Sequence, residues 1–436
     1  MIFRYDFRYT LAQIPVNTAL RANFRKMVFV NKAKNVPKDK PVIFAPNHRN
    51  ALIDALLLVY SSRLTKQVVF LARADIFKKK FIAWILRGLR IIPVFRIRDG
   101  KDNLEKNNEI FDVAGRILKN NKPIALFPEA RHNPKQSLLP IQKAVPRIVL
   151  PTEAQNNFDL NSQIVPVGIY YREIFAFLSD VYVRFGEPID VSKYKPVYDE
   201  NPNLAINQLR KEIEDSMKEV VVNIWNDEFY DQYQWAIDWN AQQIADEKFA
   251  TEKDDFALAA QNVVRQLDKL FENDRPAFEA KITNFNEAKS ILNEHGLTTK
   301  DNVKKPLSSG TLFMRKIALA FSSPIALFGF INGIFPILIN KKLLGLFKDK
   351  QFIPSVRYAS GLVFIPIFDL IQALIIGFAT KNWIIALAYF FLMPLTFLFA
   401  IHWRRWLKNT QRAQKVTRFA KQFPEKWQKL VSLIRL

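Results

Sequence analysis

Polar and apolar positions divide the chain into stretches with different periods. Between residues 40 and 188, short apolar runs at 41–45, 68–71, 91–95, 123–127, 164–169 and 181–185 alternate with segments of helical length. Such runs predict buried strands, so this region is read as α/β: a central sheet flanked by helices. Functional side chains in a domain of that kind gather on the loops leaving the strands. From residue 216 the period becomes helical. An acid-rich stretch holds Trp225, Phe229, Tyr230, Tyr233, Trp235 and Trp239, and Leu267, Leu270, Phe271, Phe278, Ile282 and Ile291 follow at helical spacing. A soluble helical hairpin with an aromatic core is expected there.

The last third carries three long apolar segments, 317–339, 356–378 and 383–401, with Asp369 the sole acid within them. Each is near the roughly 20 residues that cross a bilayer, which predicts an integral membrane protein. Residues 379–382 read as a tight turn between the second and third segments. Beyond residue 401 the tail is rich in Lys and Arg against a single acid, Glu425, and the positive-inside bias places it in the cytoplasm. The first segment has basic residues on both flanks, and Pro324 and Pro336 interrupt it near each end. It is therefore expected to re-enter or to lie in the interface, leaving a two-helix hairpin; three crossings with the tail outside is the rival. Gly329 and Gly333 form a small-xxx-small pair suited to helix contact. Asp369 and Gln372 share a helix face turned into the bundle, as a lipid path or as a helix–helix hydrogen bond. The start of the chain lacks the uninterrupted apolar core of a secretory signal, so the first domain is expected on the cytoplasmic face of the cytoplasmic (inner) membrane.

The expected organisation is an N-terminal interfacial segment 1–36, an α/β domain 37–205, a helical soluble segment 206–305, a membrane region 306–403 and a basic amphipathic tail 404–436. Composition narrows the chemistry. The 436 residues contain no cysteine, which excludes disulfides, thiolate metal sites and a thiol nucleophile. Lys and Arg number 64 against 41 Asp and Glu, a formal charge of +23 in a chain that is 49% hydrophobic. The excess predicts surfaces that meet something acidic: anionic lipid, a polyphosphate or an acidic carrier, or nucleic acid.

Three strand ends carry candidate chemistry. His48 follows the strand at 41–45, and Asp54 six positions on is close enough in sequence to fix its tautomer. A capped helix with a satisfied histidine is the plainer reading of the pair. Arg96 and Arg98 fall on one side of an extended segment, as a phosphate grip or a solvated strand end. Glu129, Arg131 and His132 close a third strand, as site residues or as a turn salt bridge.

These residues carry a resemblance. Asn47-His48 with Asp54, then Ile92-Pro-Val-Phe-Arg96, Phe127-Pro-Glu129 and Val165-Pro166-Val167 stand in the order of the four blocks of the glycerolipid acyltransferases, which include glycerol-3-phosphate and 1-acylglycerol-3-phosphate acyltransferases. The resemblance covers residues 37–189. It implies acyl transfer from acyl-CoA or an acyl carrier protein to glycerol 3-phosphate or lysophosphatidate, as direct attack without a metal, a further cofactor or a covalent enzyme intermediate. His48 would be the general base and Asp54 its orienting carboxylate. Arg96 corresponds to the phosphate-binding arginine, Glu129 to the acid of the third block, and Pro166 lies near the acyl pocket; Asn47, Arg98, Arg131 and His132 complete the expected substrate set. Five residues lie between His48 and Asp54, one more than usual in the family, which requires a wider turn or a later helix start. Ala130 replaces a glycine, and Arg90 stands where a glycine commonly precedes the second block. Phosphorylated substrates and anionic membrane lipid account for the charge without nucleic acid, for which no signature appears. A non-catalytic lipid-binding or lysolipid-transporting membrane protein that keeps the domain is the alternative.

Overall fold

The computed structural model describes residues 6–62, 67–78, 80–94, 101–248, 256–347 and 349–436. They form two compact units, Met1–Asn223 and Ile224–Leu436.

The first unit is built on one eight-stranded mixed sheet. Its strands are β1 (Phe24–Val30), β2 (Val42–Pro46), β3 (Val69–Arg73), β4 (Ile91–Val94), β5 (Ile124–Leu126), β6 (Gln163–Tyr171), β7 (Ser179–Phe185) and β8 (Ile189–Asp190). The spatial order is β1-β7-β6-β2-β5-β3-β4, with β8 on β6. Strands β4, β3, β5, β2 and β6 run parallel, while β7 turns back along β6 and β1 pairs parallel to β7. The parallel strands therefore all release their chains at one edge. The helices are α1 (Phe7–Asn23), α2 (Lys32–Asn35), α3 (Ala51–Ser61), α4 (Lys80–Gly88), α5 (Lys101–Lys119), α6 (Ala144–Ala154), α7 (Lys195–Glu200) and α8 (Pro202–Val220). Buried Ile43, Val69, Leu71 and Ile164 pack with Ile117 of α5, Ile148 of α6 and Leu209 and Ile213 of α8 in one cluster. Gly168 lets α8 come close: a Cβ there would stand 2.0 Å from the Val220 carbonyl oxygen.

Two expected boundaries move. Residues 1–36 are not a separate interfacial segment, because 24–30 supplies the outer strand β1, hydrogen-bonded to β7, and Leu20 of α1 is fully buried. The domain does not close at 205 either. The apolar stripe Ala205, Leu209, Ile213 and Met217 has its partners in the first core, which extends this unit to residue 223.

The second unit is helical: α9 (Tyr230–Lys248), α10 (Phe256–Asn273), α11 (Arg275–Glu294), α12 (Ser309–Asn332), α13 (Ile334–Gly345), α14 (Ile353–Thr380), α15 (Trp383–Gln422) and α16 (Pro424–Leu433). The expected aromatic core forms in α9–α11, with Trp239 edge-on to Phe285 and Tyr233 donating to Asp268 at 2.9 Å. Helix α12, α14 with the turn before it, and α15 are long and apolar enough to cross a membrane. They present bare apolar side chains such as Phe321, Phe378 and Ile384, the mark of an integral membrane protein.

Pairings across these helices set their directions. Trp403 Nε1 donates to the Leu319 carbonyl at 3.0 Å and Lys421 Nζ to Ser309 Oγ at 2.7 Å, so α15 runs antiparallel to α12. Gln372 Nε2 donates to the Asn332 carbonyl at 3.0 Å, Phe335 stacks on Phe368, and Asn340 Nδ2 donates to Ser360 Oγ at 2.5 Å, so α13 runs antiparallel to α14. Because α14 and α15 are themselves a hairpin turned at Lys381-Asn382, α12 and α13 also run in opposite directions. Ser309, Gly345, Ile353 and Gln422 therefore share one end of the bundle.

The break in the first apolar segment falls at Gly333, not at the prolines. Pro324 lies inside α12, and Pro336 sits in the first turn of α13, where no helical donor is needed. Gly329 and Gly333 are contact positions: a Cβ at Gly329 would stand 2.2 Å from the Thr396 carbonyl, and one at Gly333 2.2 Å from the Phe397 ring. Gln372 serves helix–helix bonding, since Tyr389 Oη lies 2.8 Å from its Oε1 and 2.7 Å from Asn332 Oδ1. The basic tail is not a separate element from 404, because α15 continues without interruption to Gln422.

Candidate active site

The site is built where β2 and β5 release their chains. β2 ends at Pro46, a loop carries Asn47 to Asn50, and α3 begins at Ala51. Asn47 is locked to β6: its amide donates to the Ile169 carbonyl at 3.2 Å and accepts from Ile169 N at 2.7 Å, while its own N–H donates to the Val167 carbonyl at 3.1 Å. That buried side chain is thus committed to fastening the loop, although it had been expected at the substrate.

His48 Nδ1 lies 2.9 Å from Asp54 Oδ2. The same oxygen accepts from Arg49 N at 2.8 Å and Asn50 N at 2.7 Å, and Oδ1 accepts from the Tyr171 hydroxyl at 2.5 Å. Asp54 is completely buried, and these donors satisfy a carboxylate that burial alone would disfavour. Asp54 thus ties down the loop before its helix and contacts the imidazole. At the start of the helix Ala51 takes φ +34°, a strained backbone for a residue with a Cβ.

The loop after β5 holds the other side of His48. Glu129 Oε1 accepts from His48 N at 2.7 Å, its Oε2 accepts from Leu139 N at 3.0 Å, and Asn133 N donates to the His48 carbonyl at 2.9 Å. Glu129 is buried and accepts from these two backbone donors, so it braces the loop and is not a surface salt bridge. Burial pushes its carboxyl up to about 7, against the two N–H donors that favour the anion. The Phe127 ring stacks on the imidazole at 3.9 Å, and the His132 ring meets it edge-on at 4.8 Å. With Nδ1 given to Asp54, Nε2 is the nitrogen left for a substrate.

Ala130 adopts φ +57° and Arg90 φ +59°. Both positions keep the left-handed backbone that favours glycine, at the cost of a Cβ. Arg131 is exposed beside the site, and Pro166 lies within β6 paired with Ala45. Arg96 and Arg98 fall outside the described residues; the strand before them, β4, ends at Val94 on the same edge of the sheet as β2 and β5. Sequence reasoning missed Tyr171 and Arg49. Tyr171 closes β6, the strand that begins at the fourth block, and burial raises its hydroxyl well above the ordinary phenol range. The guanidinium of buried Arg49 donates to the Pro134 carbonyl at 2.6 Å.

Residues 27–170 match the family model described as Acyltransferase. Over 147 residues, or 34% of its length, the chain is 30% identical to glycerol-3-phosphate O-acyltransferase 2 of Saccharomyces cerevisiae. Over 108 residues it is 31% identical to glycerol-3-phosphate O-acyltransferase 1 of the same yeast. These matches span only 19% and 14% of the yeast proteins. The crystal structure of the 1-acyl-sn-glycerophosphate acyltransferase PlsC from Thermotoga maritima is 20% identical, covering 48% of this chain and 78% of that one at a TM-score of 0.32. The matched stretch contains the His48–Asp54 pair and Glu129 and ends one residue before Tyr171, whose hydroxyl completes the set of donors on Asp54.

Proposed function

We propose that the protein transfers a fatty acyl group from a thioester donor, acyl-CoA or an acyl carrier protein, to the hydroxyl of a phosphorylated glycerol acceptor, glycerol 3-phosphate or lysophosphatidate. The observation that carries this reading is the His48 Nδ1 to Asp54 Oδ2 contact of 2.9 Å inside a family-matched domain. Nε2 of His48 removes the proton of the acceptor hydroxyl as its oxygen attacks the thioester carbonyl. The tetrahedral adduct collapses, the C–S bond breaks, and the departing thiolate takes the proton back from the imidazolium. Asp54 stabilises that cation, and Tyr171, Arg49 N and Asn50 N hold Asp54 in place. Positioned proton transfer of this kind contributes roughly two to four orders of magnitude. Arg96 and Arg98 are proposed to hold the acceptor's phosphate, with Arg131 and His132 at the rim and Pro166 toward the acyl chain.

The helical region anchors the enzyme. We place α14 and α15 across the bilayer as a hairpin and the α12–α13 pair as a re-entrant insertion, because α13, at 12 residues, is about 18 Å long and falls short of a core of about 30 Å. The basic end of α15 supports a cytoplasmic catalytic face. The test is acyl transfer by purified protein with labelled acyl-CoA and acyl carrier protein against glycerol 3-phosphate, lysophosphatidate and unphosphorylated alcohols. Product from a phosphorylated acceptor supports the reading. Lipid binding without any transfer would instead favour the non-catalytic alternative.

A further inference from the structure

At the end of the bundle shared by Ser309 and Gln422, a cavity of about 260 Å³ lies among residues 300–307, α12 and α15. Its wall carries Lys300, Lys305, Arg315 and Arg412, with Asp301 as the one acid. Asp301 is already engaged: Oδ2 accepts from Thr298 N at 2.7 Å and from Thr298 Oγ1 at 3.0 Å, and Oδ1 lies 3.9 Å from Arg412 Nε. Among the described residues, no acceptor or acid pairs with Lys305 or Arg315. Like charges gathered around one concavity repel each other, and an anion placed between them relieves that repulsion.

The level of the cavity is set by Trp403, whose indole N–H reaches the Leu319 carbonyl; tryptophans of this kind mark the water–lipid boundary. Arg315 stands one helical turn before Leu319, and Arg412 lies beyond Trp403 on the polar continuation of α15. The cavity thus falls in the headgroup layer of any bilayer that holds these helices. It is smaller than the roughly 300–1,000 Å³ of sites for drug-sized ligands, so it suits a headgroup without its chains. The guanidinium forks of Arg315 and Arg412 and the ammonium of Lys305 match the oxygens of a phosphate. We infer that this cavity binds a phosphate group at the water–lipid boundary. The inference rests on the membrane placement of α12 and α15 proposed above and uses none of the catalytic residues.

The test counts bound lipid on the full chain by native mass spectrometry, without acyl donor, using dioctanoyl phosphatidylglycerol against dioctanoyl phosphatidylcholine. Preferential retention of one phosphatidylglycerol is expected. It should require about tenfold more lipid in Arg412→Gln and, independently, in the Lys305→Gln/Arg315→Gln double variant, which breaks no ion pair among the described residues. Lys408→Gln/Arg418→Gln, outside the cavity, should leave retention unchanged. Displacement of the lipid by glycerol 3-phosphate would support the site and assign it to a soluble phosphate; persistence of the lipid would assign it to the headgroup. Equal retention by wild type and both cavity variants, or an equal loss in the control, overturns the inference. Acyl transfer is assayed separately on the same proteins, so absent transfer with intact lipid retention counts against the proposed enzyme and leaves this site standing.

Discussion

His48 is poised by a carboxylate whose own position depends on three further donors. Removing one of them should cost catalysis more than binding. Tyr171→Phe deletes the hydroxyl that meets Asp54 Oδ1, and a hydrogen bond to a charged group is worth about 1.5–3 kcal/mol, so kcat should fall about tenfold or more with the acceptor KM nearly unchanged. Steady-state kinetics on both substrates checks this. Glu129 supplies a pH signature. Its carboxyl titrates at about 7 in the fold against an ordinary 4.5, so the folded state holds a proton that the unfolded chain has lost between those values. Its contribution to stability is full below about 4.5 and is lost as pH rises toward 7. The difference in Tm between wild type and Glu129→Gln should therefore change across that window and be flat above it; a flat difference throughout would place the titration elsewhere. At Ala130, φ +57° costs an alanine about 1–2 kcal/mol, partly offset by the entropy of glycine. Ala130→Gly should thus match or exceed wild-type Tm, while Ala130→Val should lower it. His48 and Glu129 were legible because each stands in the loop that follows a short apolar strand. Tyr171 was not, since its distance from Asp54 in sequence hides a contact that only the β2–β6 pairing creates.

At the level of elements, the short apolar runs became β2 to β7 nearly where the alternation placed them, because a buried parallel strand is apolar on both faces. β1 escaped notice for the opposite reason: an edge strand is only partly covered, and its pattern is weak. The break in the first apolar segment was legible as a break but not at its position, since proline is tolerated inside α12 and in the first turn of α13, whereas Gly333 is required by the Phe397 ring. Close approach makes two glycines sensitive. Gly168→Ala forces the end of α8 away from β6, and overpacking of that kind costs about 1–3 kcal/mol, measurable as a lower Tm of the purified chain. Gly329→Leu should separate α12 from α15 and lower the detergent concentration at which the bundle unfolds, with Gly310→Leu, which faces open space, as the silent comparison.

For the whole molecule, the directions of α12 to α15 place residues 309, 345, 353 and 422 at one end of the bundle and Lys381 at the other. A chain without native cysteine is suited to single-cysteine labelling. With an impermeant reagent outside intact cells, a cysteine at 381 should react and cysteines at 346 and 430 should be protected; labelling of 346 and 430 with 381 protected would show that the α12–α13 pair crosses. The excess of basic residues was visible in composition, but its concentration around the cavity of Lys305, Arg315 and Arg412 was not, because antiparallel packing brings together positions about a hundred apart. The most direct measurement remains the rate of acyl transfer to a phosphorylated acceptor by wild type and His48→Ala in the same lipid. With the protein folded in both cases, the variant should lose at least about a hundredfold in kcat. A rate within a few fold of wild type would show that the imidazole at residue 48 is not the base.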